Sequence, residues 1–153
     1  MSVPTRGLFE THVTVARLDV SIAFYRDAMG LDLAYRLDDR RVAFFWIGGR
    51  GRSMLGLWEA GEAPNRMRLH TAFASALADV LAAPDKLRAA GIAPLGFRGE
   101  PVDEPVVIGW MPAASIFFAD PDGHLLEYVA MLSDAPRPDV GVVPYSEWTR
   151  HGR

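Results

Sequence analysis

The residues predict an α+β fold made of two tandem modules, each a strand, a helix and three further strands, spanning about 8–62 and 66–132 of one 153-residue domain. Three observations predict it. Each half opens on a segment of alternating residues, Thr11-His12-Val13-Thr14-Val15-Ala16 and Leu69-His70-Thr71-Ala72-Phe73-Ala74. Each then runs through a helical segment into a glycine, Gly30 or Gly91. A histidine holds the same place on both opening segments, and an ordered series of such matches is the mark of internal duplication.

Alternation with period two belongs to half-buried strands. It places Val13 and Val15 on one face of the first segment, with His12, Thr14 and Ala16 on the other. The first helix is expected to open at Asp19 as N-cap, to carry Ile22, Tyr25 and Met29 on one stripe, and to stop at Gly30. Three strands follow at Leu31–Leu37, Arg41–Ile47 and Ser53–Trp58, with Asp38-Asp39 and Gly48-Gly49 turning between them. In the second half Pro84 is expected near a helix start and Gly91 at its end. Strands are expected at Ala93–Phe97, Ser115–Ala119 and Leu125–Met131. The second module is ten residues longer between its helix end and its last strand. The stretch Arg98–Pro112, with its prolines, acids and Trp110-Met111, is read as a lid-like connection.

Composition narrows the function classes. With no cysteine, disulfides, thiolate metal sites and cysteine nucleophiles are all excluded, and a reducing, cytoplasmic setting is the expectation. The net charge is −3 and the pI about 5.8, without the clustered basic face that nucleic acid requires. No apolar run approaches the roughly 20 residues of a membrane span, and Met1 to Phe9 lacks the apolar stretch of a secretory signal. The expected partner is a small molecule. Arg36 and Arg41 flank a hairpin and are read as solvated charge.

The chemistry concentrates in three residues. Glu127 lies mid-strand in Leu125-Leu126-Glu127-Tyr128-Val129, where a carboxylate is unfavourable unless it is paired or binds a metal. With His12 and His70 it supplies the two-histidine, one-carboxylate donor set of an open facial triad. Singly, each has an ordinary structural alternative. Together, on duplicated strands, they are read as ligands of one divalent ion. Imidazole and carboxylate donors suit zinc, iron, nickel, manganese or cobalt. Trp58, Trp110 and Met111 are the candidate substrate contacts, and His124, just past a glycine turn, is read as exposed.

Two stretches, Phe24-Tyr25-Arg26-Asp27-Ala28-Met29-Gly30-Leu31 and Phe118-Ala119-Asp120-Pro121-Asp122-Gly123-His124-Leu125-Leu126-Glu127, resemble the vicinal oxygen chelate superfamily. That family includes glyoxalase I, extradiol dioxygenases, fosfomycin-resistance enzymes and bleomycin-binding proteins. The resemblance covers Thr11 to Met131. It implies paired βαβββ modules forming a cupped mixed sheet around a metal, with His12, His70 and Glu127 at the first-, fifth- and eighth-strand ligand positions. It also implies a homodimer; the apolar tail 133–153 is read as docking either across the sheet or onto such a partner subunit. The function it implies is a metal-dependent enzyme, glyoxalase- or dioxygenase-like, whose substrate chelates the ion through neighbouring oxygens, with Glu127 catalytic.

Glyoxalase I carries a further glutamate on the fourth strand. Here Gly56 is the closer match, while Glu59 lies three residues on and, by alternation, faces away unless a bulge intervenes. A lactoylglutathione lyase using Glu59 as catalytic base is therefore one alternative. A metal-free protein that sequesters a drug is another, of a different class.

Overall fold

The computed structural model describes residues 8–60 and 68–151. The expected junction between the modules, 62–66, and most of the Met1–Phe9 stretch lie outside them. The chain divides into two compact units, Met1–Leu69 and His70–Arg153, each with its own mixed sheet.

In the first unit β1 (Glu10–Val15) leads into α1 (Leu18–Ala23), and β2 (Asp32–Leu37), β3 (Val42–Ile47) and β4 (Ser53–Glu59) follow. The sheet order is β1-β4-β3-β2, with β1 and β4 parallel and the other pairs antiparallel. Alternation does what the sequence predicts: Val13 and Val15 are buried and His12 and Thr14 are exposed. The helix differs in two ways. Its N-cap is Arg17 rather than Asp19, and Asp19 in the first turn instead pairs with Arg36 at 2.7 Å. The helix also passes into a π-helical turn, Phe24–Ala28, where the Met29 N–H bonds the Phe24 carbonyl. Gly30 then ends it with a positive φ of 69°, and the Leu31 N–H reaches back to the Tyr25 carbonyl.

In the second unit β5 (His70–Ala74) leads into α2 (Leu77–Ala89), followed by β6 (Val106–Ile108), β7 (Ala113–Ala119) and β8 (Leu125–Met131). The order is β5-β8-β7-β6-β9, where β9 (Val142–Pro144) comes from the tail. Pro84 sits inside α2, not near its start, and is buried with Val80, Ala83 and Leu87 on the face toward the sheet. The helix loses one backbone bond there, which tertiary packing offsets.

The expected strand Ala93–Phe97 and the expected lid Arg98–Pro112 both need correction. Leu95 makes an isolated bridge to Phe117, and β6, fully buried, pairs with the same strand farther along. One lane of the sheet is thus split between Leu95 and β6. The ten extra residues leave it after Leu95 and return at Val106. Val106, Val107 and Ile108 are core and not cover.

The tail takes the first of its two expected places, docking on the sheet of its own unit. Val142–Pro144 pairs with β6, and α3 (Tyr145–His151) carries Trp148 to 2% exposure. Arg137 lies over the Trp148 ring at 3.5 Å. The tail's apolar bulk is thus used within the second unit.

Candidate metal and substrate site

The parallel register of β1 and β4 positions the candidate residues of the first unit. His12 stands opposite Gly56, Thr14 opposite Trp58, and Val15 opposite Glu59. Residues paired across a ladder share a face. His12, Gly56 and Trp58 therefore lie on the face away from α1, and Glu59 lies on the helix side with Val15. The imidazole of His12 crosses directly over Gly56: a Cβ there would come within 2.6 Å of Nδ1. Only glycine fits beneath this ring. A fourth-strand glutamate at position 56 and His12 in its present rotamer are mutually exclusive.

Both ring nitrogens of His12 are engaged inside the first unit. The Trp58 indole N–H donates to Nδ1, and Nε2 lies 2.5 Å from Glu10 Oε1. An indole can only donate, so Nδ1 accepts and the proton sits on Nε2. Trp58 in turn carries Arg40 over its ring at 4.8 Å. For His12 to offer Nε2 to an ion, that proton must move to Nδ1 and the Trp58 indole must withdraw from it.

Glu59 has different work. Arg41 donates to both of its oxygens, at 2.9 and 2.6 Å, and the Leu18 N–H donates to Oε2 at 2.6 Å. The Arg41 bonds first, then the Leu18 N–H, hold this carboxyl below the ordinary glutamate range. It ties β4 to the start of α1 and to the β2–β3 turn. No bulge interrupts β1–β4 to turn it inward, so its placement gives no support to a catalytic base at Glu59. Arg36 and Arg41, read as solvated, are both engaged: Arg36 with Asp19 and Asp38, Arg41 with Glu59.

In the second unit the register sets Ala72 and Phe117 beside Glu127. His70, two residues before Ala72, shares their face, and its Nε2 lies 3.0 Å from Glu127 Oε2. Phe117 lies beside the imidazole with ring centroids 6.1 Å apart. Glu127 is 6% exposed, and its Oε1 is buried without a hydrogen-bond partner among the described residues. An orphaned carboxylate oxygen next to an imidazole nitrogen is the donor chemistry that a divalent ion takes. These two residues fit the group that the resemblance implies. Within either unit, no group of three or more His, Cys, Asp or Glu able to hold a metal occurs among the described residues.

The remaining candidates are dispersed. Trp110, 61% exposed, and Met111 form the tight turn between β6 and β7. His124 is not exposed but buried at 2%, because Asp120 Oδ1 accepts from both the Asp122 and His124 N–H groups and folds the turn over it. The residue that sequence reasoning missed is Ser115, whose hydroxyl is fully buried on the Glu127 face. A serine in an apolar strand was its only signal.

The comparisons agree with this architecture. The family model of the glyoxalase/bleomycin resistance protein/dioxygenase superfamily matches residues 7–128. An integron cassette protein from the mobile metagenome of Halifax Harbour sewage outfall is 33% identical, covering 83% of this chain and 100% of its own, with a TM-score of 0.72. A lactoylglutathione lyase from Agrobacterium tumefaciens is 25% identical over 84% of this chain and 96% of its own, with a TM-score of 0.62. The fosfomycin resistance protein FosX from Listeria monocytogenes, in complex with Mn(II) and sulfate, shares the fold at 24% identity, with a TM-score of 0.61 and coverage of 85% and 94%. No curated protein matches. Two βαβββ units in sequence, the His70–Glu127 pair on the second and a family match over most of the chain together place the protein in the glyoxalase/bleomycin resistance protein/dioxygenase superfamily.

Proposed function

We propose that this protein is a metal-dependent enzyme acting on a small substrate that chelates one divalent ion through neighbouring oxygens. The observation that carries the reading is Glu127: a buried mid-strand carboxylate with one oxygen against His70 and the other without a partner. Leaving such a group unsatisfied is costly, and an ion removes the cost. His70 and Glu127 are two ligands in this reading, and His12 is the third on the family resemblance alone. The ion, when bound, supplies Lewis acidity toward the substrate oxygens. Glu127 holds it, and Phe117 walls one side of His70.

A metal-free drug-sequestering protein has no evident use for the orphaned Glu127 oxygen. A lactoylglutathione lyase with Glu59 as base is not favoured, because Glu59 is committed to Arg41 and the Leu18 N–H on the other face. Turnover of the hemithioacetal of methylglyoxal and glutathione is accordingly expected to be poor. A homodimer remains the proposed assembly. The described surface that favours it is the edge strand β2, where Leu33 and Tyr35 are 40% and 62% exposed.

The test is metal analysis of purified protein, followed by titration of the metal-free form with Zn(II), Mn(II), Fe(II), Ni(II) and Co(II). Wild type is expected to bind one equivalent, and Glu127→Gln to lose affinity by at least about tenfold, the scale of a charged contact. Equal binding by both proteins, or none by wild type, would refute the proposal.

A further inference from the structure

Ser115 lies at the centre of β7, with 0% exposure and a buried Oγ that has no hydrogen-bond partner among the described residues. The ladder defines its surroundings. Val129 on β8 and Val106 on β6 stand directly beside it. Ala113 and Phe117 come next along its own strand on the same face. All four are apolar. An alanine would fit this row of the ladder without burying a hydroxyl.

The same ladder places Ser115 relative to Glu127. Glu127 stands opposite Phe117, two residues along β7, so Ser115 and Glu127 are diagonal neighbours on one face of the sheet. Diagonal neighbours of this kind lie about 7–8 Å apart. Ser115 Oγ and Glu127 Oε1 are the two buried side-chain polar atoms lacking a partner among the described residues, and both occur on this face. Two orphans in one diagonal are the complement of one small polar molecule.

We propose that Ser115 is a substrate-positioning residue, its hydroxyl donating a hydrogen bond to an oxygen of a small oxyanion whose other oxygens reach an ion held by Glu127. The inference rests on the metal-dependent reading above and assigns its second polar contact. A serine hydroxyl donates one hydrogen bond and accepts others. Beside four apolar neighbours its donor is directed to the ligand, and it discriminates molecules that place an acceptor within hydrogen-bond reach of Oγ while other oxygens reach the ion at Glu127. Such a ligand is a small hydroxy- or keto-acid or a phosphonate in size, and an aliphatic chain is rejected because it leaves the hydroxyl unpaired.

The test compares wild type with Ser115→Ala by calorimetry and thermal melting, using Mn(II) as the metal and oxalate as a chelating oxyanion probe. Without ligand, Ser115→Ala is expected to melt about 2–4 °C higher, because a buried unpaired hydroxyl has been removed. Its Mn(II) affinity should stay within about twofold of wild type. Oxalate binding to the Mn(II) form should weaken about tenfold, the scale of one hydrogen bond to a charged group. Unchanged oxalate affinity in the variant would overturn the Ser115 assignment alone. A variant that melts below wild type would overturn it too, since the hydroxyl would then have a structural partner. Failure of wild type to bind Mn(II) or any other divalent ion overturns the metal reading and the Ser115 site together, and shows in the wild-type titration before any variant is made.

Discussion

Glu59 and Glu127 are both glutamates on a module's last strand, Glu59 at the end of β4 and Glu127 within β8, and each ladder sends its own to a different face of its sheet. Glu127 pairs with Ala72 on the His70 face, while Glu59 pairs with Val15 on the helix side. Gly56 completes the contrast, since the His12 ring occupies the space any side chain there would need. The clamp formed by Glu59 makes a testable pH dependence. Its carboxyl titrates below the ordinary glutamate value in the folded protein because Arg41 and the Leu18 N–H stabilise the anion. A lowered folded-state value means that the stabilisation is present above the unfolded value, about pH 4.3, and is lost as pH falls through the folded one. Wild type should therefore melt above Glu59→Gln at pH 7. The gap should narrow steadily from about pH 4 downward, as Glu59 takes up its proton and both proteins come to carry a neutral group at that position. A gap independent of pH in melting curves would show that the clamp acts through shape and not charge.

Among the elements, α2, the split lane and the tail show how packing outweighs local preference. Pro84 interrupts the α2 hydrogen-bond ladder yet lies buried beside Ala83 and Leu87. Val106–Ile108 is short for a strand, and it holds because β7 pairs on one side and β9 on the other. The β9 pairing brings α3 down, and Trp148 then fills the space next to Gly109, where its ring lies 3.4 Å from where a Cβ would stand. The indole N–H reaches Asp134 Oδ1 at 3.3 Å, and Arg137 stacks on the ring. Trp148→Ala removes one of the largest fully buried side chains and should cost about 3–5 kcal/mol. Urea unfolding would show it as a lower midpoint at similar slope. A loss under about 1 kcal/mol would mean that the tail is not part of the second unit's core.

For the whole molecule the proposed ion is a stability term as well as a chemical one. A ligand that binds only the folded state stabilises by about 2.7 kcal/mol at one hundred times its dissociation constant. In a chain of this size that is a rise in melting temperature of roughly 5–11 °C. Wild type should show it with the metal that it prefers, and at the same metal concentration a tenfold weaker Glu127→Gln should show about half the rise or less. A rise of equal size in both proteins would place the ion elsewhere.

Much of this was legible in the residues because its causes are local. Alternation marked β1 and β5, since side chains in a strand change face at every residue. Gly30 and Gly91 marked helix ends because both adopt positive φ, 69° and 73°. The glutamate set in Leu125-Leu126-Glu127 stood out because an apolar strand has no other use for a charge. What the residues alone did not show depends on partners distant in sequence. Arg41 lies 18 positions from Glu59, and the acceptor of the Trp58 indole lies 46 positions away on β1. The lane that Leu95 shares with β6 is defined only by β7, and the tail's docking only by the free edge of β6. Ser115 is the sharpest case. Nothing adjacent to it distinguishes it from a tolerated serine, and only the register that lays it diagonal to Glu127 turns a buried hydroxyl into a candidate contact.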